Sequence, residues 1–237
     1  MQTDFAVPSQ QKTALPEGFS VAQILEERAH DMRKRRKRVR TRAALLAVAA
    51  REIEKVGYDS LTVDHLSSAA GMVRGTFYLY FHSRSDIITA VLRKYWALMR
   101  LYRPRGGGLS LKDSIHRANT YSVMLAAKNP RLLEAREILL REDREVAARM
   151  ASVNRMWADR IVRDLERRGL TSPTDQDHAF VRLKARAVIN MSDTLLSDVN
   201  RLSGWDDSQG PIDHELVIRV MDDLWYRSLY LRENHHP

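Results

Sequence analysis

Residues 39–92 read VRTRAALLAVAAREIEKVGYDSLTVDHLSSAAGMVRGTFYLYFHSRSDIITAVL. Leu45, Leu46, Ala49, Ala50 and Ile53 recur at helical spacing, which predicts a helix from Val39 that stops at Gly57, a residue suited to a left-handed C-terminal cap. Thr62 is placed to cap a short helix carrying Val63, Leu66, Ala69 and Ala70, and Gly71 breaks it. A second short helix follows, with Phe77 and Phe81 one turn apart. Ser83 and Asp86 have capping-box spacing and open a longer helix with Ile87, Ile88, Val91, Leu92, Tyr95, Trp96 and Met99, ending before Pro104. Two short helices joined by a tight glycine turn and braced by a third are the ingredients of a helix-turn-helix. The small Ala69 and Ala70 allow a close crossing, and Gly75 permits near approach of a partner. Phe77 and Phe81 anchor the second helix inward and leave the side chains between them for a DNA groove.

The flanking sequence extends the helical reading in both directions. Residues 1–19 are polar, contain Pro8, Pro16 and Gly18, and are expected to be disordered. Ser20 and Gln23 have capping-box spacing ahead of a helix with Val21, Ile24, Leu25, Ala29 and Met32 on one face. That helix either continues through the basic residues beyond it or stays flexible until DNA is present. After the Gly106–Gly107–Gly108 loop, helices are expected over 110–128, 131–141 and 144–168, the last stopped by Gly169. Beyond Pro173 a long helix is expected over 175–202, and after a loop from Gly204 to Pro211 a last one over 213–231. With 44% hydrophobic residues, 7% aromatics, ten glycines and seven prolines in 237 residues, no strand pattern emerges. The fold class is all-α, an N-terminal three-helix helix-turn-helix domain followed by a larger helical domain. The expected divisions are an extension over 1–38, the DNA-binding motif over 39–85, and a ligand-binding and dimerisation domain over 86–237.

Charge is concentrated. The formal net charge is +9, yet the run RKRRKRVRTR from Arg33 to Arg42 holds eight basic residues and no acid, leaving 31 basic against 30 acidic residues elsewhere. A body near neutrality with one strongly basic block fits a localised polyanion contact. A solvated arm and a membrane-surface helix using Val21, Ile24 and Leu25 are the alternatives; adjacency to the helix-turn-helix favours added contacts to DNA.

Thr62-Val63-Asp64 through Ala70-Gly71, then Gly75-Thr76-Phe77-Tyr78-Leu79-Tyr80-Phe81, resemble the DNA-binding region of the TetR family at its own spacing, and the resemblance covers residues 39–92. It implies a homodimeric repressor on double-stranded operator DNA, with Met72 to Leu79 in the major groove. Arg74, Thr76 and Tyr78 are the candidates for bases or nearby phosphates, Tyr80 and Arg84 for phosphates. Gly75 lies between the readers. Thr62 would cap a helix whose N-terminus faces a phosphate, and Arg40, Thr41 and Arg42 would touch the backbone. Val73 stands where the family has a serine; valine neither caps nor donates, and offers an apolar contact to a thymine methyl instead.

The resemblance also implies a ligand site within the C-terminal helices. Met124, Met156, Trp157, Asn190, Met191 and Thr194 combine soft apolar surface with a few polar groups, and Trp96 and Met99 lie on the helix linking that region to the DNA reader. A small hydrophobic or amphipathic effector is expected. Phe180, Leu183, Ala187, Met191, Leu195 and Leu202, with Val217, Val220, Met221, Leu224 and Leu231, are the expected dimer surface. No enzyme is expected: no HExxH or GxSxG motif occurs, the Gly106–Gly108 run lacks a phosphate-loop lysine, and His235 and His236 stand in a terminal tail. No cofactor and no metal are expected. Cysteine is absent, which excludes disulfides and cysteine-ligated zinc and suits a reducing cytoplasm. Met1–Leu15 lacks the pattern of a secretory leader, and no apolar run approaches the ~20 residues of a membrane span.

Overall fold

The molecule is described from a computed structural model, over residues 18–104, 107–171, 175–201 and 213–230. Expectations on residues 1–17, Gly106, Pro173, 202–212 and 231–237 lie outside the described residues. Ten α-helices occur in those segments and no strand. They are α1 Val21–Asp31, α2 Lys37–Ser60, α3 Val63–Ala69, α4 Arg74–Tyr78 and α5 Arg84–Tyr102, then α6 Leu111–Ala127, α7 Pro130–Glu142, α8 Arg144–Arg167, α9 Asp175–Arg201 and α10 His214–Tyr230.

Side-chain caps set where the helices begin. Ser20, Thr62, Ser83 and Ser110 each accept the backbone N–H three residues on, at 3.4, 3.0, 3.1 and 3.1 Å. These bonds satisfy donors that a helix start leaves open. α2 bends at Gly57, whose φ of 72° ends the regular helix at the expected residue. The basic block takes neither of its expected forms. α1 stops at Asp31, Met32–Lys34 make one 3₁₀ turn, Arg35 and Arg36 are extended, and α2 starts afresh at Lys37.

The expected disorder of residues 1–19 is corrected at its last two positions. Phe19 is buried against Tyr95 and Tyr102, with ring centroids 6.3 and 5.7 Å away. Gly18, at φ +69°, lies so close to the Leu125 backbone that a Cβ there would fall within 2.7 Å of the Leu125 nitrogen. Asn129, fully enclosed, fixes this docking. Its Oδ1 accepts the Val21 N–H at 2.8 Å, and its Nδ2 donates to the carbonyls of Phe19 and Leu125 at 2.7 and 2.8 Å.

α2 packs against α1, α3, α5 and α7. Its Glu54 carboxylate accepts the N–H groups of Arg131 and Leu132 at 3.3 and 3.1 Å and so caps the start of α7. One continuous set of buried apolar side chains runs from Leu45, Phe77 and Phe81 through Ile88 and Leu92 to Leu125, Leu139 and Met221. The helix-turn-helix motif therefore shares its core with the later helices, and α5 passes through both parts.

Glu52 braces the motif from below. Its buried carboxylate meets His65 Nε2 at 2.8 Å, Arg51 Nε at 2.9 Å and Lys55 Nζ at 3.0 Å, joining α2 to α3. Burial alone would raise the Glu52 carboxyl, but hydrogen bonds from His65, Lys55 and Arg51 outweigh it and hold the pKa down to about 2. A carboxyl held below its unfolded value stabilises the fold above the ordinary carboxylate range, and that stabilisation is lost as pH falls toward about 2. Glu52→Gln is expected to lower stability by about 1–3 kcal/mol at neutral pH. It should also flatten the acid limb of a circular-dichroism stability profile; an acid limb identical to wild type would contradict the brace.

Candidate nucleic-acid interface

α3 and α4 are held at a fixed crossing by a turn in which Gly71, at φ 63°, takes the conformation L side chains avoid. Gly71 N–H donates to the Ser68 carbonyl at 3.0 Å and Met72 N–H to the Ser67 carbonyl at 2.9 Å, closing the end of α3. α4 has only five residues, with Phe77 fully buried and Phe81 buried just after it. Its other faces point outward. Val73 and Leu79 are 74% and 72% exposed, and Arg74, Gly75 and Tyr78 are exposed beside them. Thr76 is half-buried. Val73 is the N-cap residue and makes no side-chain cap bond, as valine must. A Cβ on Gly75 would meet nothing within 4 Å, so no packing within the chain requires glycine there.

Arg74 lies 3.2 Å from Asp64, donates to the Tyr78 hydroxyl at 3.3 Å and sits over the Tyr78 ring at 5.7 Å. Solvent screens an exposed pair of this kind, so exchanging Asp64 for a base or phosphate costs little. Arg40 is exposed and donates to the Arg33 carbonyl at 3.2 Å; Thr41 is half-buried; Arg42 is exposed with its guanidinium 5.0 Å from the Phe81 ring centre. Thr62 caps α3 as read. Two of the residues expected at phosphates also have partners within the chain. The Arg84 Nη1 donates to the carbonyls of Tyr58, Asp59 and Leu61 at 3.0, 3.2 and 3.1 Å, and the group lies 4.4 Å above the Tyr58 ring. It closes the end of α2, where a cation suits the free carbonyls. Tyr80 packs half-buried against the core.

A cavity of about 910 Å³ lies among α5, α6, α7, α8, α9 and α10. Of the residues expected at a ligand site, Trp96, Met99 and Trp157 line it. Met124, Met156, Asn190, Met191 and Thr194 do not: Asn190, Met191 and Thr194 are exposed on α9, and Met124 and Met156 are half-buried outside the lining. Sequence reading missed the polar centre. Arg136 is buried, donates to Glu137 at 2.7 Å and faces Asp193 at 3.9 Å. Its signal was present, since Arg136 sits one turn from Leu132 and Leu139 on the apolar stripe of α7. Burial raises the Asp193 carboxyl against the pull of Arg136, and raises the nearby Tyr95 hydroxyl to about 12. The Trp225 indole donates to Ser192 Oγ at 2.8 Å, whereas the buried Trp96 Nε1 has no hydrogen-bond partner among the described residues. Among the described residues no cluster of three or more His, Cys, Asp or Glu is placed to hold a metal, and no helix is long and apolar enough to cross a membrane.

The family profile for bacterial regulatory proteins of the tetR family matches residues 45–91. No curated protein sequence matches the chain. Several solved structures share its fold, three of which illustrate the likeness. The fatty acid degradation regulator FadR of Bacillus halodurans is 16% identical with a TM-score of 0.58, covering 82% of this chain and 97% of that one. A putative TetR-family regulator of Mesorhizobium loti is 12% identical with a TM-score of 0.62, covering 82% and 97%. FadR of Thermus thermophilus, a TetR-family repressor in complex with lauroyl-CoA, is 16% identical with a TM-score of 0.53, covering 83% and 98%. Residues 45–91 thus resemble the bacterial regulatory proteins of the tetR family, and the chain as described shares the all-helical fold of these solved structures.

Proposed function

We propose that the chain is a homodimeric transcriptional repressor that binds a near-palindromic operator through α4 and leaves it when a small hydrophobic or amphipathic molecule enters the cavity. The observation that carries this reading is α5. Its cap, Ser83, lies two residues beyond the Phe81 anchor of the reader, and its later turns supply Tyr95, Trp96 and Met99 to the cavity wall. One rigid helix thus spans both sites. An occupant that favours a different tilt of α5 moves the reader, and operator affinity falls by the differential affinity of that occupant for the two arrangements. In this reading residues 39–85 read DNA and 86–237 bind ligand and dimerise.

The effector class follows from the lining. Trp96, Met99, Tyr121 and Trp157 supply apolar surface, while Arg103 and Arg136 supply positive charge. An amphipathic molecule meets both needs, and the fold relative that holds lauroyl-CoA is in keeping with it. Arg74, Thr76, Tyr78 and Val73 are the proposed base readers, with Thr62, Arg40, Thr41 and Arg42 on the backbone.

The dimer reading draws on exposed apolar side chains. Phe180 and Leu183 are 64% and 65% exposed on α9, with Ala187 and Met191 on the same outward face; Leu216 and Val220 are exposed on α10. Two residues named from sequence are corrected. Val217 and Met221 are buried in the chain's own core, so the exposed large apolar residues of α10 are Leu216 and, as expected, Val220. Leu195 is also half-buried against that core, and Leu202 and Leu231 lie outside the described residues. Pairing these faces about a two-fold axis would give a four-helix bundle.

Selection of bound duplexes from random DNA tests the reader. Thr76→Ala and Tyr78→Phe are each expected to alter base preference and to cost about 1–3 kcal/mol on the wild-type site; selection of the same sequences by both variants and wild type would overturn the placement. Sedimentation at micromolar concentration is expected to show a dimer that Phe180→Asp with Leu183→Asp converts to monomer; a monomeric wild type would refute the assembly. Lauroyl-CoA and dodecanoate are the first effector probes. A rise in Tm with loss of operator binding supports release by ligand, and a rise in Tm with operator binding unchanged would contradict it.

A further inference from the structure

All eight cations between Arg33 and Arg42 are exposed, and none joins an ion pair among the described residues. Several cations elsewhere do have acidic partners: Arg51 has Glu26 and Glu52, Arg74 has Asp64, and Arg227 has Asp223. Unrelieved repulsion at this density disfavours the folded chain. The start of α2 adds to it. Its first turn holds Lys37 and Arg38 with no acidic residue, which is the unfavourable sign for the positive end of a helix. A row of phosphates removes both costs at once. The block ends beside the reader, because Arg42 lies over the ring of Phe81.

The block is also held in place. Arg40 Nη1 ties α2 to the Arg33 carbonyl at 3.2 Å, and Glu26 of α1 pairs with Arg51 of α2 at 3.3 Å. Val21 and Leu25 are buried, and the Asn129 bonds and the close fit of Gly18 anchor the start of α1. A flexible arm would lose conformational entropy each time it met DNA; this block is ordered beforehand.

We propose that Arg33 to Arg38 form a second DNA-contacting surface, a rail that continues from the backbone contacts of Arg40 and Arg42 along the phosphates flanking the half-site read by α4, and that the docked segment from Gly18 to Asp31 positions it. The inference rests on the DNA-binding reading above but assigns a separate surface with a separate signature. Phosphate contacts carry no sequence information, so the rail adds affinity for every duplex and leaves specificity to α4.

Deleting residues 1–38 does not isolate the rail, because it strips Phe19, Val21 and Leu25 from the core. The test keeps the full chain and replaces Arg33, Lys34, Arg35 and Arg36 by Gln together, a surface change. Binding is measured against salt on a duplex selected by wild type and on a scrambled duplex of equal length. Loss of two phosphate contacts per dimer would lower the salt slope by about 2 and weaken both duplexes on the order of 30-fold at about 0.15 M salt, with their ratio unchanged. An unchanged slope overturns the rail, and weakening confined to the selected duplex overturns its role as a phosphate contact. A protein that selects no sequence refutes the helix-turn-helix reading instead, while the slope on scrambled duplex still decides the rail. Gly18→Ala tests the positioning. A partial fall in slope that adds nothing to the quadruple variant supports it; a lower Tm with an unchanged slope shows that the docked segment only stabilises the fold.

Discussion

A five-residue helix cannot sustain itself in water, because nucleating a helix costs more than one or two turns return. α4 exists because Phe77 and Phe81 are buried on either side of its end, each side chain contributing on the order of 1.5–3 kcal/mol. That burial fixes which faces remain outside. With two anchors committed inward, Val73, Arg74, Gly75 and Tyr78 have nowhere to go but outward. The rest of the motif serves this placement: Thr62 starts α3, Gly71 turns the chain, Glu52 holds α3 to α2, and Arg84 closes the end of α2.

The same core continues into the larger body without a seam, and the arrangement has a mechanical meaning. α5 is packed along its length, with Ile87, Ile88, Val91, Leu92 and Leu98 buried, before it reaches the cavity wall. A shift at Trp96 or Met99 is therefore not absorbed locally, since packed helices move as units. Two further ties run across the same boundary. Glu54 of α2 caps α7, and Phe19 rests on Tyr95, itself a cavity residue. The buried Arg136–Asp193 centre and the Trp96 N–H, which has no partner among the described residues, give the cavity specific polar groups.

Much of this was legible in the sequence, and the reasons are local. Helix starts were readable because Ser20, Thr62, Ser83 and Ser110 cap through bonds spanning three residues, and the stop at Gly57 because glycine marks a backbone conformation. The failures involve partners distant in sequence. Phe19 looked like part of a polar tail because its anchor, Asn129, lies 110 residues away. Arg84 looked like a free cation beside a DNA motif; only the folded chain brings the three carbonyls after Gly57 to its guanidinium. On α10 apolar residues occur on more than one face, so periodicity could not separate the buried Val217 and Met221 from the exposed Leu216 and Val220. Periodicity likewise finds a helix's inner face but not which inner residues border a void, which is why Asn190 and Met191 were named and Arg136 and Asp193 were not.

Paired α4 helices on one face of a duplex are the feature on which the regulatory reading turns. Hydroxyl-radical and guanine-N7 footprinting of the full chain on a selected duplex measures it directly. Two symmetry-related patches of major-groove protection, centred about 34–36 Å apart along the axis, are the expected result. A single asymmetric patch, or protection spread evenly along the duplex, would contradict it.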